Sequence, residues 1–510
     1  MVFMTDQSDS DYSQLLSGTS VVLVGTILGL GLGFLARSIP ARLLGPDEFG
    51  LLVLGSSVAT VGGFVSLLGF KDGISRYLPR AETKSQQKSV FLTAVTTVLP
   101  VSLLLAGFLF LNSNLIATGV FNSPDLDVVV RIFSVMIPLF TMRSIITSTF
   151  RGYKMANERV IVQNILNPLL RVVLVSGAVV VFSTVSGAAI GWVLASLISL
   201  LFGSFLLNRR TPIFTADSGP LQHVELIQFS APLMMGGIMG IVLNQADNFL
   251  IGVFVDSQAV GLYDPAFMIG GLVTTGLSAF AFLFLPTFSK LDVKDNQQRM
   301  DEFYRVVSKW VISVTIPVYL TVAVFPKGIL SLTFGQEFTA GSLVLVLIAT
   351  GSLFNASVGL CVQALVSIGA TRFILVVNIL TAIANIGLNI LLIPRFGIVG
   401  AAVASATTTI GYNTAYSIQL HRLTGITPIP TTALPAVGAT VVFAAVVDVF
   451  VLSEGVPNWV APLFVLAFSA IYLIFYILLG ASGPEDVQII DEVEQRVNIN
   501  LNWLREMISP

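Results

Sequence analysis

Among the 510 residues of the chain, Arg171 is the one whose type and place constrain its chemistry most. It falls about twelve residues into an apolar stretch over 159–182, too deep to reach either end of that stretch easily. A charge at such depth costs at least about 2.5–3.5 kcal/mol when it faces lipid, so it must face a cavity or a partner. A guanidinium also matches phosphate oxygens with two parallel hydrogen bonds. Two roles compete at this position: a side chain that holds an anion, or half of a structural ion pair with Asp247. Arg143, inside the stretch 128–150, and Arg37, at the end of 15–37, are candidates of the same kind that could instead snorkel, as Arg131 is expected to do. Asp247 stands with Asn244, Gln245 and Asn248 in a polar cluster suited to ion pairing, to a coupling cation or to closing a gate. Asn164, Asn378 and Asn385 lie in apolar stretches too, where an amide bonds either a sugar hydroxyl or a neighbouring helix.

Other chemistry has no residues to work with. The one cysteine, Cys361, lies in an apolar run, and the two histidines, His223 and His421, are far apart. Neither a disulfide framework nor a zinc ligand set can be assembled from these. No nucleophile and base are paired by motif, so no enzyme, no cofactor and no metal are expected. A net charge of −2 argues against a nucleic-acid partner.

The elements that must position these residues are hydrophobic throughout. The chain is 55% hydrophobic and 11% charged, with a mean hydropathy of +0.89, against about 25% charged residues in soluble proteins. The intervals 89–124, 172–208, 338–371 and 455–484 hold no Asp, Glu, Lys or Arg, and a spanning helix needs about 20 largely apolar residues. The chain is therefore read as an all-α polytopic membrane protein of about 14 transmembrane helices. They are placed at 15–37, 47–70, 89–111, 128–150, 159–182, 186–208, 225–254, 259–287, 306–326, 340–367, 372–393, 397–420, 431–453 and 457–480.

Seventeen Lys and Arg fall on one side of these spans, and four (Arg37, Arg42, Lys327 and Arg395) on the other. The basic side is cytoplasmic by the positive-inside rule, and an even span number puts both termini there. Residues 1–18 carry Asp6, Asp9 and Asp11 without Lys or Arg, whereas a cleaved signal peptide opens on basic residues. The first apolar run is thus expected to be retained. The expected organisation is a cytoplasmic tail at 1–14, a first lobe at 15–208, a cytoplasmic linker at 209–224 and a second lobe at 225–420. Two more spans follow within 421–480. A cytoplasmic tail at 481–510 has apolar residues at helical spacing from Val487 to Leu504.

The lobes repeat each other at an offset of 211 to 214 residues. Phe49-Gly50-Leu51 answers Val260-Gly261-Leu262, and Val162-Gln163-Asn164-Ile165-Leu166 answers Val376-Val377-Asn378-Ile379-Leu380. Gly187-Ala188-Ala189 answers Gly400-Ala401-Ala402. A six-helix repeat enters the membrane twice from the same side. Parallel repeats of this kind place a substrate near the bilayer midplane, between the halves.

Several stretches together resemble a known group. They are Ala41-Arg42-Leu43-Leu44-Gly45-Pro46-Asp47-Glu48-Phe49-Gly50-Leu51, Leu68-Gly69-Phe70, Arg76-Tyr77-Leu78-Pro79-Arg80, Asp247 followed by Ala259-Val260-Gly261-Leu262-Tyr263, and Leu392 to Ala402. In these the chain is similar to the polysaccharide-transporter branch of the multidrug/oligosaccharidyl-lipid/polysaccharide exporter superfamily. The resemblance implies a two-lobed, V-shaped flippase for lipid-linked sugars in the plasma membrane. Its partners would be the lipid-linked glycan, membrane lipid, and the glycosyltransferases or oligosaccharyltransferase of the same pathway. Arg171 would then hold the carrier phosphate. Its repeat counterpart Asn385 would offer an amide where the first lobe offers a cation. A cation-coupled drug antiporter and a polytopic glycan polymerase or ligase are the alternatives; arginines disfavour the first, and short outer loops the second. Arg outnumbers Lys by 18 to 8 and Asp outnumbers Glu by 17 to 11, a leaning of salt-loving archaea that would make the carrier dolichyl.

Overall fold

Lipid offers the backbone no hydrogen bonds, so a spanning segment must satisfy its own N–H and C=O groups as a helix. The computed structural model describes residues 5–278, 280, 297–428, 434–450, 457, 460–480 and 494, and among them the regular elements are helices. In chain order they are α1 (Thr5–Ser66), α2 (Phe70–Tyr77), α3 (Lys84–Leu111), α4 (Ser113–Gly119), α5 (Leu126–Ser134), α6 (Met136–Gly152), α7 (Ala156–Val160), α8 (Asn167–Phe182), α9 (Val185–Arg210), α10 (His223–Phe254) and α11 (Ser257–Leu272). There follow α12 (Gln297–Val324), α13 (Pro326–Thr333), α14 (Ser342–Val358), α15 (Cys361–Ser367), α16 (Thr371–Thr424), α17 (Leu434–Phe450) and α18 (Ala461–Leu478).

Nine helical stretches among the described residues are long and apolar enough to cross a membrane, and two of them hold two expected spans each. α1 covers the span 15–37 and most of 47–70, breaks at Gly45 (φ 75°, ψ 172°) and ends at Ser66, before a turn at Leu68 and Gly69 in positive φ. α16 covers 372–393 and 397–420 and breaks at Gly397 (φ 56°, ψ −137°). Positive φ is a conformation that a Cβ opposes, so glycine marks both breaks. Pro46, with no N–H to leave unpaired, then restarts the first helix. α1 is already helical at Thr5, ahead of the expected start near 15. The amphipathic helix expected over 483–508 and the end of the span 259–287 lie outside the described residues.

The chain forms two compact units, residues 1–261 and 262–510. In the first, Phe70, Ile74, Val90, Phe91, Ile145 and Phe150 centre a core shared by α2, α3 and α6. The segment between α9 and α10 is strapped along one face of α3. Lys88 Nζ donates to the Ala216 carbonyl (2.5 Å), Gln222 N–H to Thr93 Oγ1 (3.0 Å), and Thr97 Oγ1 meets His223 Nδ1 (2.9 Å). The Ser57 hydroxyl ties α10 to α1 through Gln245 Oε1 (3.0 Å). In the second unit α18 packs on α12. Phe464 meets Phe325 at 4.4 Å between centroids, Tyr472 Oη lies 3.2 Å from Ser313 Oγ, and the Lys309 ammonium stands 5.5 Å from the Tyr476 ring centroid. Aromatic packing and polar contacts of this kind replace the hydrophobic effect between helices in lipid.

The internal duplication recurs as a contact. A Cβ on Gly187 would lie 3.3 Å from the Ala178 carbonyl oxygen, and one on Gly400 would strike the carbonyl of Leu392. The two pairs differ by the same 213 and 214 residues that relate the sequence motifs. Each closes a helix hairpin within its own unit.

Candidate functional site

Pro168 shapes the helix that carries Arg171. It has no N–H to give the carbonyl four residues back, so the helix widens beforehand into a π-helical segment, Ile161–Leu166. Asn167 N–H bonds the Val162 carbonyl, five residues back. Such bulges are frequent at functional sites. On this stretch Asn164, Asn167 and Arg171 follow at spacings of three and four and so share a face.

α8 is clamped by its neighbours on both sides. A Cβ on Gly29 of α1 would lie 2.8 Å from the Asn164 carbonyl oxygen, and Gly25, four residues earlier, meets Val160. α1 therefore runs parallel to the stretch that leads from α7 into α8. Farther along α1, nothing lies within 4 Å of a Cβ placed on Gly31 or Gly33. On the other flank a Cβ on Gly191 of α9 would lie 2.5 Å from the Leu174 carbonyl oxygen. That approach brings Trp192 onto Arg171, whose guanidinium carbon sits 3.6 Å from the ring centroid. Phe133 of α5 meets Trp192 edge-on at 5.5 Å and 80°.

Asn164 and Arg171 thus lie on one continuous helical stretch, with Arg171 half-buried, and Arg37 lies on the neighbouring α1. Asn167, 7% exposed, joins them, and its Nδ2 has no hydrogen-bond acceptor among the described residues. Arg143 is elsewhere, half-buried on α6 with its guanidinium 5.9 Å from the Phe140 ring centroid. Asp247 is buried on α10, 4% exposed. Arg131 does not simply snorkel: it pairs with Asp127 one turn earlier at 3.0 Å and donates to Ser113 Oγ at 2.8 Å.

The two candidates from the second unit are in a different setting. Asn385 is 2% exposed; its Nδ2 donates to Ser405 Oγ and Thr408 Oγ1, each at 3.4 Å, and its Oδ1 accepts from Asn389 Nδ2 at 3.1 Å. Asn378 Oδ1 accepts from the Tyr416 hydroxyl at 2.7 Å. Both amides are engaged between the two arms of α16, inside the second unit.

Trp192 is the residue that sequence reasoning passed over. An aromatic side chain in an apolar helix reads as packing. The available signal was the run of small residues Gly187, Gly191 and Ala195 on its helix, which marks the face that approaches a neighbour closely.

Residues 39–342 match the model of a family described as "Polysaccharide biosynthesis protein". The "Probable low-salt glycan biosynthesis flippase Agl15" of Haloferax volcanii is 25% identical over 402 residues, 77% of this chain and 80% of the relative. The "Probable flippase AglR" of the same organism is 24% identical over 220 residues, 42% of this chain and 45% of the relative. Among solved structures, the lipid II flippase MurJ in an inward closed conformation aligns with a TM-score of 0.70 at 12% identity, over 90% of this chain and 98% of that one. An inward-facing multidrug transporter of the MATE family aligns with a TM-score of 0.59 at 16% identity, over 79% and 98%. At such identities these two likenesses speak for the fold alone.

Proposed function

We propose, since the chain belongs to the polysaccharide biosynthesis protein family, that it flips a lipid-linked oligosaccharide across the membrane. The carrier is a polyprenyl or dolichyl phosphate, and the cargo moves from the cytoplasmic to the outer face of the plasma membrane. The names of Agl15 and AglR support this reading, as does a fold shared with a lipid II flippase. One observation carries it: a half-buried guanidinium midway along a span, next to two helices' worth of chain from 172 to 208 without a charge. A phosphate crossing hydrocarbon needs a compensating cation at mid-depth, and Arg171 supplies one with the donor geometry that phosphate oxygens accept. Asn167 and Asn164, one and two turns away, and Arg37 on the neighbouring α1 extend the polar surface for the headgroup and its first sugar.

The chain acts in this account as a transporter, not an enzyme. Glycosyltransferases build its cargo, and an oligosaccharyltransferase or polymerase consumes it. Both termini lie in the cytoplasm, on the asymmetry of Lys and Arg.

Deleting the gene tests the reading. Lipid-linked glycan should accumulate on the cytoplasmic face while the outer acceptor stays unglycosylated. Failure of the lipid-linked glycan to form at all would make the protein an assembly enzyme instead. Normal outer glycosylation, with lost export of cationic dyes, would make it a drug antiporter.

A further inference from the structure

The repeat offsets that relate Gly187 to Gly400 and Ala178 to Leu392 also relate Trp192 to Ser405 and Arg171 to Asn385. The second pair touches, as the first does: Asn385 Nδ2 donates to Ser405 Oγ at 3.4 Å. The fold therefore brings these two positions into contact in both units. In the second unit the pair is a neutral amide and a hydroxyl, 2% and 8% exposed, which satisfy each other. In the first it is a guanidinium on an indole.

At 3.6 Å from the ring centroid the guanidinium stacks over the ring face, since an edge-on approach at that distance would drive its nitrogens into the ring atoms. A flat stack engages the π face of the cation and none of its N–H groups. It fixes the plane in which the donor fork lies. Trp192 is itself held in place. Phe133 meets its ring edge-on, a Cβ on Gly55 would lie 2.7 Å from the Phe133 ring, and Gly191 sets the distance between α8 and α9.

We propose that Trp192 is the positioning residue of an anion site at Arg171, aligning the guanidinium plane so that its fork meets the carrier phosphate. This rests on the reading of Arg171 as the phosphate-holding residue. Trp192 touches the cation and not the cargo, so its loss should weaken substrate capture more than it slows a saturated transporter.

The test uses the full-length protein in proteoliposomes, with a fluorescent dolichyl-phosphate-linked oligosaccharide as probe and transport rate followed against probe concentration. Trp192→Phe and Trp192→Tyr keep an aromatic face and should stay within about threefold of the parent protein. Trp192→Leu should raise the half-saturating concentration about tenfold, with a smaller change in maximal rate. Trp192→Met, flexible and without a ring, should behave like Trp192→Leu and serves where that variant fails to insert. The double variant Arg171→Asn with Trp192→Ser installs the second unit's pair in the first. It should insert normally, because the same pair packs in the second unit, and it should not transport. Parent-like kinetics for Trp192→Leu and Trp192→Met beside an inactive Arg171→Ala would overturn the role of Trp192 and leave the phosphate reading standing. Parent-like transport by Arg171→Ala, or by the double variant, would overturn the phosphate reading itself.

Discussion

The hairpin of α8 and α9 in the first unit and the two arms of α16 in the second descend from one repeat and have kept the same contacts for different ends. Both close their turns with glycine against a carbonyl, and both join the same two positions across the hairpin. In α16 the joined residues are neutral and buried, and they extend into a set that includes Asn389 and Thr408. In α8 and α9 the joined residues are a cation and an aromatic ring, one turn from an amide nitrogen that no described residue accepts from. Duplication preserves where side chains meet, while their chemistry diverges. Around Asn385 the amide is engaged by neighbours on both arms and has little left to offer a ligand. The unit that holds a charge at mid-span is the one with a reason to do so other than packing.

Substitutions can break this comparison, and the largest effect is expected at Arg171. Arg171→Ala should lower transport roughly a hundredfold, the size of losing a charge-assisted contact of about 3 kcal/mol, with membrane abundance near normal. Arg171→Lys, which keeps the charge without the fork, should retain part of the activity. Gly191→Val comes next. Its side chain would meet the Leu174 carbonyl, force α8 from α9 and lift Trp192 off Arg171. Overpacking of this kind costs about 1–3 kcal/mol, so melting temperature and transport should fall together. Asn385→Leu should also destabilise by about 1–3 kcal/mol, because Asn389, Ser405 and Thr408 lose a partner. Transport per folded molecule should change less than about twofold, which separates its role from that of Arg171. The smallest effect belongs to the pair of Asp127 and Arg131. Arg131→Gln with Asp127→Asn removes a half-exposed ion pair, should cost less than about 1 kcal/mol and should leave transport unaltered.

Much of this organisation was legible before any coordinates. Composition and charge-free intervals mark the membrane class, and the Gly-Ala-Ala and Asn-Ile-Leu matches point to a duplication. Arg171 stands out on depth alone. The partners of these residues could not be read in the same way. Hydropathy marks which residues are apolar, not which face of a helix meets which neighbour, so Trp192 did not stand out and Asn385 stayed open between a sugar contact and helix packing. The partners of Asn385 were out of reach because Ser405 and Thr408 lie beyond the break at Gly397, on the other arm of the hairpin. The pair of Asp127 and Arg131 was within reach, since a spacing of four on a helix brings opposite charges together. Pro168 could likewise have announced the π-helical segment before it.

Carrier binding measures the difference between the units most directly. The purified full-length protein in nanodiscs would be titrated with dolichyl phosphate and, separately, with dolichol, for the parent protein, Arg171→Ala and Asn385→Ala. The account predicts that the parent prefers dolichyl phosphate, that Arg171→Ala abolishes this preference without weakening dolichol binding, and that Asn385→Ala retains it. An unchanged preference in Arg171→Ala, or its loss in Asn385→Ala alone, would contradict the assignment of the phosphate to the first unit.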